Sequence, residues 1–98
     1  MTFILVFTTI AEEHLERLKQ DPGQKRILKD VLKTLGYMET NLRHPSLNTH
    51  EFSSLKGPHG EKVYEAYAQQ NTPGAFRVFW HYGPGKNYIS VIGITPHP

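Results

Sequence analysis

The chain has 98 residues, which suits one compact domain, residues 1–98, and leaves no room for a second. It contains no cysteine, which excludes disulfides, cysteine-ligated zinc and thiolate catalysis. The formal net charge of +2 is far below that of a dedicated duplex-DNA binder, although the many histidine and aromatic residues in 42–98 favour an anionic partner such as RNA.

One strand and two helices are predicted within residues 2–40. Residues 2–8 are an apolar run of strand length. The run is too short to span a membrane and lacks the basic flank of a signal peptide, so a cytoplasmic protein is expected. Thr9 is the predicted N-cap of the first helix. Asp21 and Pro22 separate it from a second helix, whose apolar residues recur at helical spacing as far as about Thr40. The short connection and the two apolar faces predict a helical hairpin.

The C-terminal half is predicted to be mostly β-structure. Residues 44–60 are rich in Pro, Ser, His and Gly, which indicates a long loop of the kind that often carries function. Segments 62–69, 76–82 and 88–94 read as strands separated by turns, and they predict an antiparallel three-stranded meander. The prolines of the tail, residues 95–98, are expected to stop it from extending the sheet. The predicted fold class is therefore α+β, with the helices packed on one face of the sheet.

Arg77 needs a physical explanation because its permanent charge lies in the middle of an apolar strand. Strand alternation places Arg77, Phe79 and His81 on one face. One interpretation is an internal ion pair with Glu65 or Glu61 of the neighbouring strand. The other is that Arg77 faces the uncovered side of the sheet and binds a phosphate through its planar guanidinium.

The six histidines could act as general acids or bases near neutral pH. None of their spacings is typical of a metal site, so no metal is expected. His97 is the best catalytic candidate because the end of the last strand lies beside the centre of the sheet. His14 and His81 are predicted to be structural, and the long loop carries the remaining three, His44, His50 and His59.

Several segments together resemble the RelE/ParE toxin superfamily. They are the helical hairpin, NLRHPSLNTH at residues 41–50, LKG at 55–57, FRVFW at 76–80, and IGI at 92–94 followed by Pro96-His97. Members have the order β-α-α-β-β-β, an arginine on a strand of the type YRVxY, and a basic or histidine-containing end to the last strand. The resemblance spans nearly the whole chain and implies one RelE-like domain.

The resemblance implies the toxin of a type II toxin–antitoxin pair, with an antitoxin protein as its partner and mRNA on the ribosome as its substrate. Such a toxin cleaves RNA without a metal or cofactor, by attack of a ribose 2′-OH on the adjacent phosphate. By this resemblance Arg77 would stabilise the charged phosphorane and His97 would act as base or acid. The residues expected to bind RNA are His50, Lys56, His59, Lys62 and Tyr67.

An alternative function remains open within the same superfamily. Where active members commonly carry Arg or Lys on the strand after the loop, this chain has Glu65-Ala66. That difference favours a catalytically inactive or gyrase-directed protein-binding module.

Overall fold

The elements follow the chain in the order strand, helix, helix and four strands. The computed structural model describes residues 2–97. The strands are β1 Ile4–Phe7, β2 His50–Lys56, β3 Lys62–Tyr67, β4 Phe76–Tyr82 and β5 Tyr88–Pro96. The helices are α1 Thr9–Gln20 and α2 Lys25–Thr40, and single 3₁₀ turns occupy Pro22–Gln24 and Pro45–Leu47. Within the described residues, no helix is long and apolar enough to cross a membrane.

The strands form one mixed sheet in the order β1-β5-β4-β3-β2. β1 pairs with β5 in parallel, and the other neighbours are antiparallel. The predicted three-stranded meander, β3-β4-β5, is therefore one part of a larger sheet. The prediction of a loop over residues 44–60 was wrong, because that segment contains β2. β2 is a largely exposed edge strand with few apolar residues, so its backbone pairing with β3, rather than its own pattern, defines it.

The helical hairpin packs on one face of the sheet, as predicted. α1 packs against β5 and α2 against β4. The buried stripe of α2 meets the face that carries Val78 and Trp80. Because successive strand residues point to opposite faces, Arg77 and Phe79 lie on the other face, away from this core.

The last strand is longer than predicted. Thr95 pairs with Arg77 and Pro96 with Phe76, so the prediction that the tail cannot extend the sheet was wrong. A proline removes only its own N–H, and at the end of a strand that single loss is tolerated. The next N–H, that of His97, continues the pairing by donating to the Ala75 carbonyl at 2.8 Å. This bond holds His97 beside β4.

The N-cap of α1 is Thr8, one residue before the predicted Thr9. The Thr8 backbone is extended, and its Oγ1 accepts a hydrogen bond from the Ala11 N–H at 3.1 Å. Thr9 is the first helical residue and is exposed. The two threonines are adjacent and chemically identical, so only the backbone conformation distinguishes the cap from its neighbour.

Thr8→Ala is expected to lower the free energy of unfolding by about 1 kcal/mol, because one of the free N–H groups at the helix start loses its acceptor. Thr9→Ala is the matched control and should change the free energy of unfolding by much less. Urea denaturation followed by the fluorescence of Trp80, the single tryptophan, measures both. Equal losses in the two variants would contradict the assignment of the cap.

Candidate functional site

Side chains from four neighbouring strands meet on the sheet face that the hairpin core leaves open. His50 begins β2, Glu65 and Tyr67 lie on β3, Arg77 lies on β4, and His97 follows β5. The register places His50 opposite Glu65 and Tyr67 opposite Arg77. We call these five residues the Glu65 cluster.

Glu65 is the centre of the cluster and is completely buried. Its Oε2 lies 2.8 Å from Nδ1 of His97 and 3.9 Å from Nε of Arg77. Its Oε1 lies 2.7 Å from Nε2 of His50, in a contact that is not aligned as a hydrogen bond. One buried carboxylate therefore faces three basic groups, which compensates the cost of burying it.

The position of Arg77 agrees in part with each of the two interpretations from the sequence, an internal ion pair and a side chain on the uncovered face. It lies on the face away from the hairpin core, yet it is only 7% exposed and has Glu65 as its nearest carboxylate. Its Nη1 donates to the carbonyls of Gln69 and Phe76 at 2.7 and 3.3 Å. Its guanidinium carbon lies 3.6 Å from the centre of the Tyr67 ring, a cation–π contact. Nε of Arg77 is buried and has no hydrogen-bond partner within the described part of the chain, and it is the atom that faces the cluster.

The two histidines form the accessible surface of the cluster. The side chains of His50 and His97 are 45% and 47% exposed, respectively, whereas Glu65 beneath them has no exposure. A carboxylate only accepts hydrogen bonds, so the contact with Glu65 places the proton of His97 on Nδ1 and leaves Nε2 free as a base.

His50 has acceptors at both ring nitrogens. Nδ1 lies 2.9 Å from the Asn48 carbonyl, and Nε2 faces the carboxylate of Glu65. Neither partner donates, so the contacts favour an N–H at each ring nitrogen of His50. The cluster therefore places a proton donor, His50, beside a proton acceptor, Nε2 of His97.

The structure separates the other predicted RNA-binding residues from this cluster. Lys56 pairs with Lys62 near the end of the β2–β3 hairpin, and His59 lies in the connecting turn. Lys62 is three residues along β3 from Glu65, about 10 Å at strand spacing. Lys56 also forms a surface ion pair with Glu51 at 3.8 Å. Only His50 and Tyr67 of the predicted RNA-binding set belong to the Glu65 cluster.

Glu61, the other carboxylate considered for Arg77, has different partners. Its Oε1 accepts from the backbone N–H of His59 at 2.8 Å, and its Oε2 lies 3.9 Å from Nδ1 of His81. Hydrogen bonds from backbone N–H groups hold the pKa of Glu61 below its ordinary value. His81 itself is buried, in line with its predicted structural role.

His14 lies at the edge of the core, as predicted. Its Nδ1 accepts a hydrogen bond from the Ile94 N–H at 3.1 Å, next to the part of β5 that extends beyond β1. Burial lowers the pKa of His14, and the nearby Arg17 lowers it further, which favours the neutral ring that this bond requires. His14 therefore satisfies a strand edge and does not join the cluster.

Sequence reasoning identified Glu65 only as a partner of Arg77 and missed its contacts with two histidines. The available signal was a carboxylate at a sheet-facing position among otherwise apolar and aromatic residues. Such a residue needs several basic or donating partners when it is buried. Within residues 2–97, no group of three or more His, Cys, Asp or Glu side chains has the geometry of a metal site.

Comparison with known proteins gives similarity in structure only. No protein-family model matches the sequence, and no curated protein matches it. The YoeB/ParE toxin from Agrobacterium tumefaciens has a similar structure, with a TM-score of 0.68 and 13% sequence identity, over 96% of this chain and 98% of that chain. The YoeB dimer from Staphylococcus aureus gives a TM-score of 0.64 at 16% identity over 100% of both chains. The archaeal RelE–RelB complex from Pyrococcus horikoshii OT3 gives 0.64 at 15% identity, over 98% of this chain and 96% of that chain.

These features define an α+β protein in which a helical hairpin covers one face of a mixed five-stranded sheet. The structural similarity covers nearly the whole of each chain. The protein has the RelE/ParE-like toxin fold, and the resemblance seen in the sequence motifs is confirmed at the level of the fold.

Proposed function

We propose that this protein is the toxin of a toxin–antitoxin pair and cleaves RNA at the Glu65 cluster. The observation that carries the proposal is the pair of half-exposed imidazoles, His50 and His97, held within 2.8 Å of one buried carboxylate. RNA cleavage by an internal 2′-OH needs one group that removes a proton and one that supplies a proton. The cluster offers both groups on one accessible surface.

The proposed chemistry follows from the proton positions. Nε2 of His97 removes the proton of the ribose 2′-OH, whose oxygen attacks the adjacent phosphorus. The bond from phosphorus to the leaving 5′-oxygen breaks, and that oxygen takes the proton from Nδ1 of His50, which gives up its contact with the Asn48 carbonyl. The products are a 2′,3′-cyclic phosphate and a 5′-hydroxyl end. General acid and base groups each typically contribute about 10²–10⁴ in rate.

Arg77 and Glu65 act beneath the imidazoles in this proposal. Glu65 orients the rings of His97 and His50. Arg77 supplies the positive charge that stabilises the phosphorane, through the guanidinium edge at Nε that has no hydrogen-bond partner. Direct contact of Arg77 with a phosphate requires the half-exposed histidines to separate.

The proposed partners are an antitoxin protein and mRNA on the ribosome. Two of the structurally similar proteins were solved as toxin–antitoxin complexes, RelE–RelB and RelBE2. The concentration of histidine and aromatic residues in the C-terminal half, on a chain with a pI near 9.0, supports RNA as the substrate.

Expression of the wild-type chain in bacteria is expected to stop growth and to yield mRNA fragments with 5′-hydroxyl ends. Ligation-based mapping of the new ends measures this chemistry directly. The His50→Ala, His97→Ala double variant is the matched control and should leave both growth and mRNA intact. Normal growth and intact mRNA in cells that contain folded, soluble wild-type protein would contradict the proposal.

A second function, a protein-binding module without nuclease activity, is favoured by the low exposure of Arg77. The guanidinium already contacts two carbonyls and the Tyr67 ring, as in a structural arginine. In that case the growth defect would persist in the double histidine variant. A gyrase-directed module would then give DNA damage with intact mRNA.

A further inference from the structure

A cavity lies on the opposite face of the sheet from the Glu65 cluster. It has a volume of about 530 Å³, within the usual range for small-ligand sites. It opens between the start of the chain, the end of α2 and one end of β3 and β4. The residues that line it include four aromatic and two polar side chains: Phe3, Tyr64, Trp80, Tyr82, Asn41 and Arg43.

Aromatic rings form the floor and one wall of this cavity. Tyr64 stacks on Trp80 with 4.9 Å between ring centroids and 28° between ring planes. Tyr82 meets Trp80 edge-on at 4.9 Å, and Phe3 lies 6.2 Å from Tyr82. Trp80 is almost fully buried, but Tyr82 is 49% exposed. A large aromatic ring half-exposed beside a cavity offers a stacking surface for another planar ring.

The rim of the cavity carries polar groups. Arg43 lies close enough to affect Tyr82: burial and the Tyr64 hydroxyl raise the pKa of Tyr82, and the Arg43 guanidinium opposes that rise. Asn41 adds a side-chain amide to the rim. The cavity therefore combines a stacking surface, one cation and one side-chain amide.

We propose that this cavity binds a nucleotide, with the base stacked on Tyr82 and the 5′-phosphate paired with Arg43. A nucleobase is a planar ring with hydrogen-bonding edges, and it comes with a phosphate that matches the guanidinium. The site is separate from the Glu65 cluster, so the proposal does not depend on nuclease activity.

An aromatic side chain of a peptide is the competing occupant, and it fits the polar groups less well. A phenylalanine ring would fill the apolar floor but would leave the Asn41 amide and the Arg43 guanidinium without partners. Covering such groups unpaired costs free energy, whereas a nucleotide offers acceptors for both.

Titration of the full chain with adenosine 5′-monophosphate tests the proposal. Trp80 is the single tryptophan and forms part of the cavity wall, so its fluorescence reports occupancy. Saturable quenching is expected with this nucleotide. Ribose 5-phosphate, which lacks the base, is expected to give none. Quenching by phenylalanine amide but not by the nucleotide would identify a peptide site and overturn the proposal.

Two variants test whether the nucleotide binds in this cavity. Tyr82→Leu and Arg43→Ala are each expected to weaken nucleotide binding by about tenfold or more, from the loss of stacking and of the phosphate contact, respectively. Arg26→Ala removes an exposed arginine of α2 outside the cavity and should leave the affinity unchanged. Equal affinity in the wild type and in both cavity variants would overturn the assignment.

Discussion

Glu65→Gln is expected to lower the free energy of unfolding by about 3–5 kcal/mol, the usual cost of removing one partner from a buried ion pair. The substitution keeps the shape of the side chain and removes its charge. Arg77 is 7% exposed and would then have no countercharge nearby among residues 2–97, and the bond from His97 would lose its charged acceptor. A domain of this size has a total stability of only about 5–15 kcal/mol, so the loss would be obvious in urea denaturation.

Glu51→Gln is the matched control for this prediction. Glu51 also faces a cation, Lys56 at 3.8 Å, but both side chains are more than a third exposed. Surface pairs of this kind contribute about 0–1 kcal/mol, so the control should be nearly neutral. Adding Arg77→Met to Glu65→Gln should recover part of the lost stability, because it removes the uncompensated charge. Equal stability of the two glutamine variants would show that the buried charges do not depend on each other.

Single replacement of His97 or His50 by alanine is expected to slow RNA cleavage by about 10²–10³, as for the loss of one general acid or base. Cleavage of ribosome-bound mRNA by the wild type and by each single variant measures the loss.

His44→Ala is the control for the histidine variants. His44 stacks on Tyr37 and lies outside the Glu65 cluster, so its loss should leave the rate unchanged. The double variant should be little slower than the slower single variant, since both groups act in one step. If either single variant of the cluster cleaved RNA at the wild-type rate, the proposed role of that histidine would be wrong.

The elements that could be predicted best are those in which apolar residues recur with a strong helical or strand period. The apolar stripe of α2 predicts a helix that ends at about Thr40, which is where it ends. Alternation in β4 correctly places Val78 and Trp80 on the face opposite Arg77. β2 has no such signal, because an exposed edge strand owes its conformation to backbone pairing.

The candidate sites likewise include residues that the sequence singled out and contacts that only the fold creates. A charge inside an apolar strand made Arg77 conspicuous in the sequence, and the tail position did the same for His97. The Glu65 cluster, in contrast, depends on the pairing register of the strands. That register places His50 opposite Glu65, and the extra length of β5 places His97 beside β4. The aromatic cavity depends on elements far apart in the chain, from Phe3 to Tyr82.

By itself the sequence determined which segments have an apolar face and therefore which residues are helix, central strand and core, because burial depends on local periodicity. Only the tertiary structure decided that His50, Arg77 and His97 converge on Glu65. Contacts between distant residues depend on strand order and register, and these are set by the packing of the whole chain.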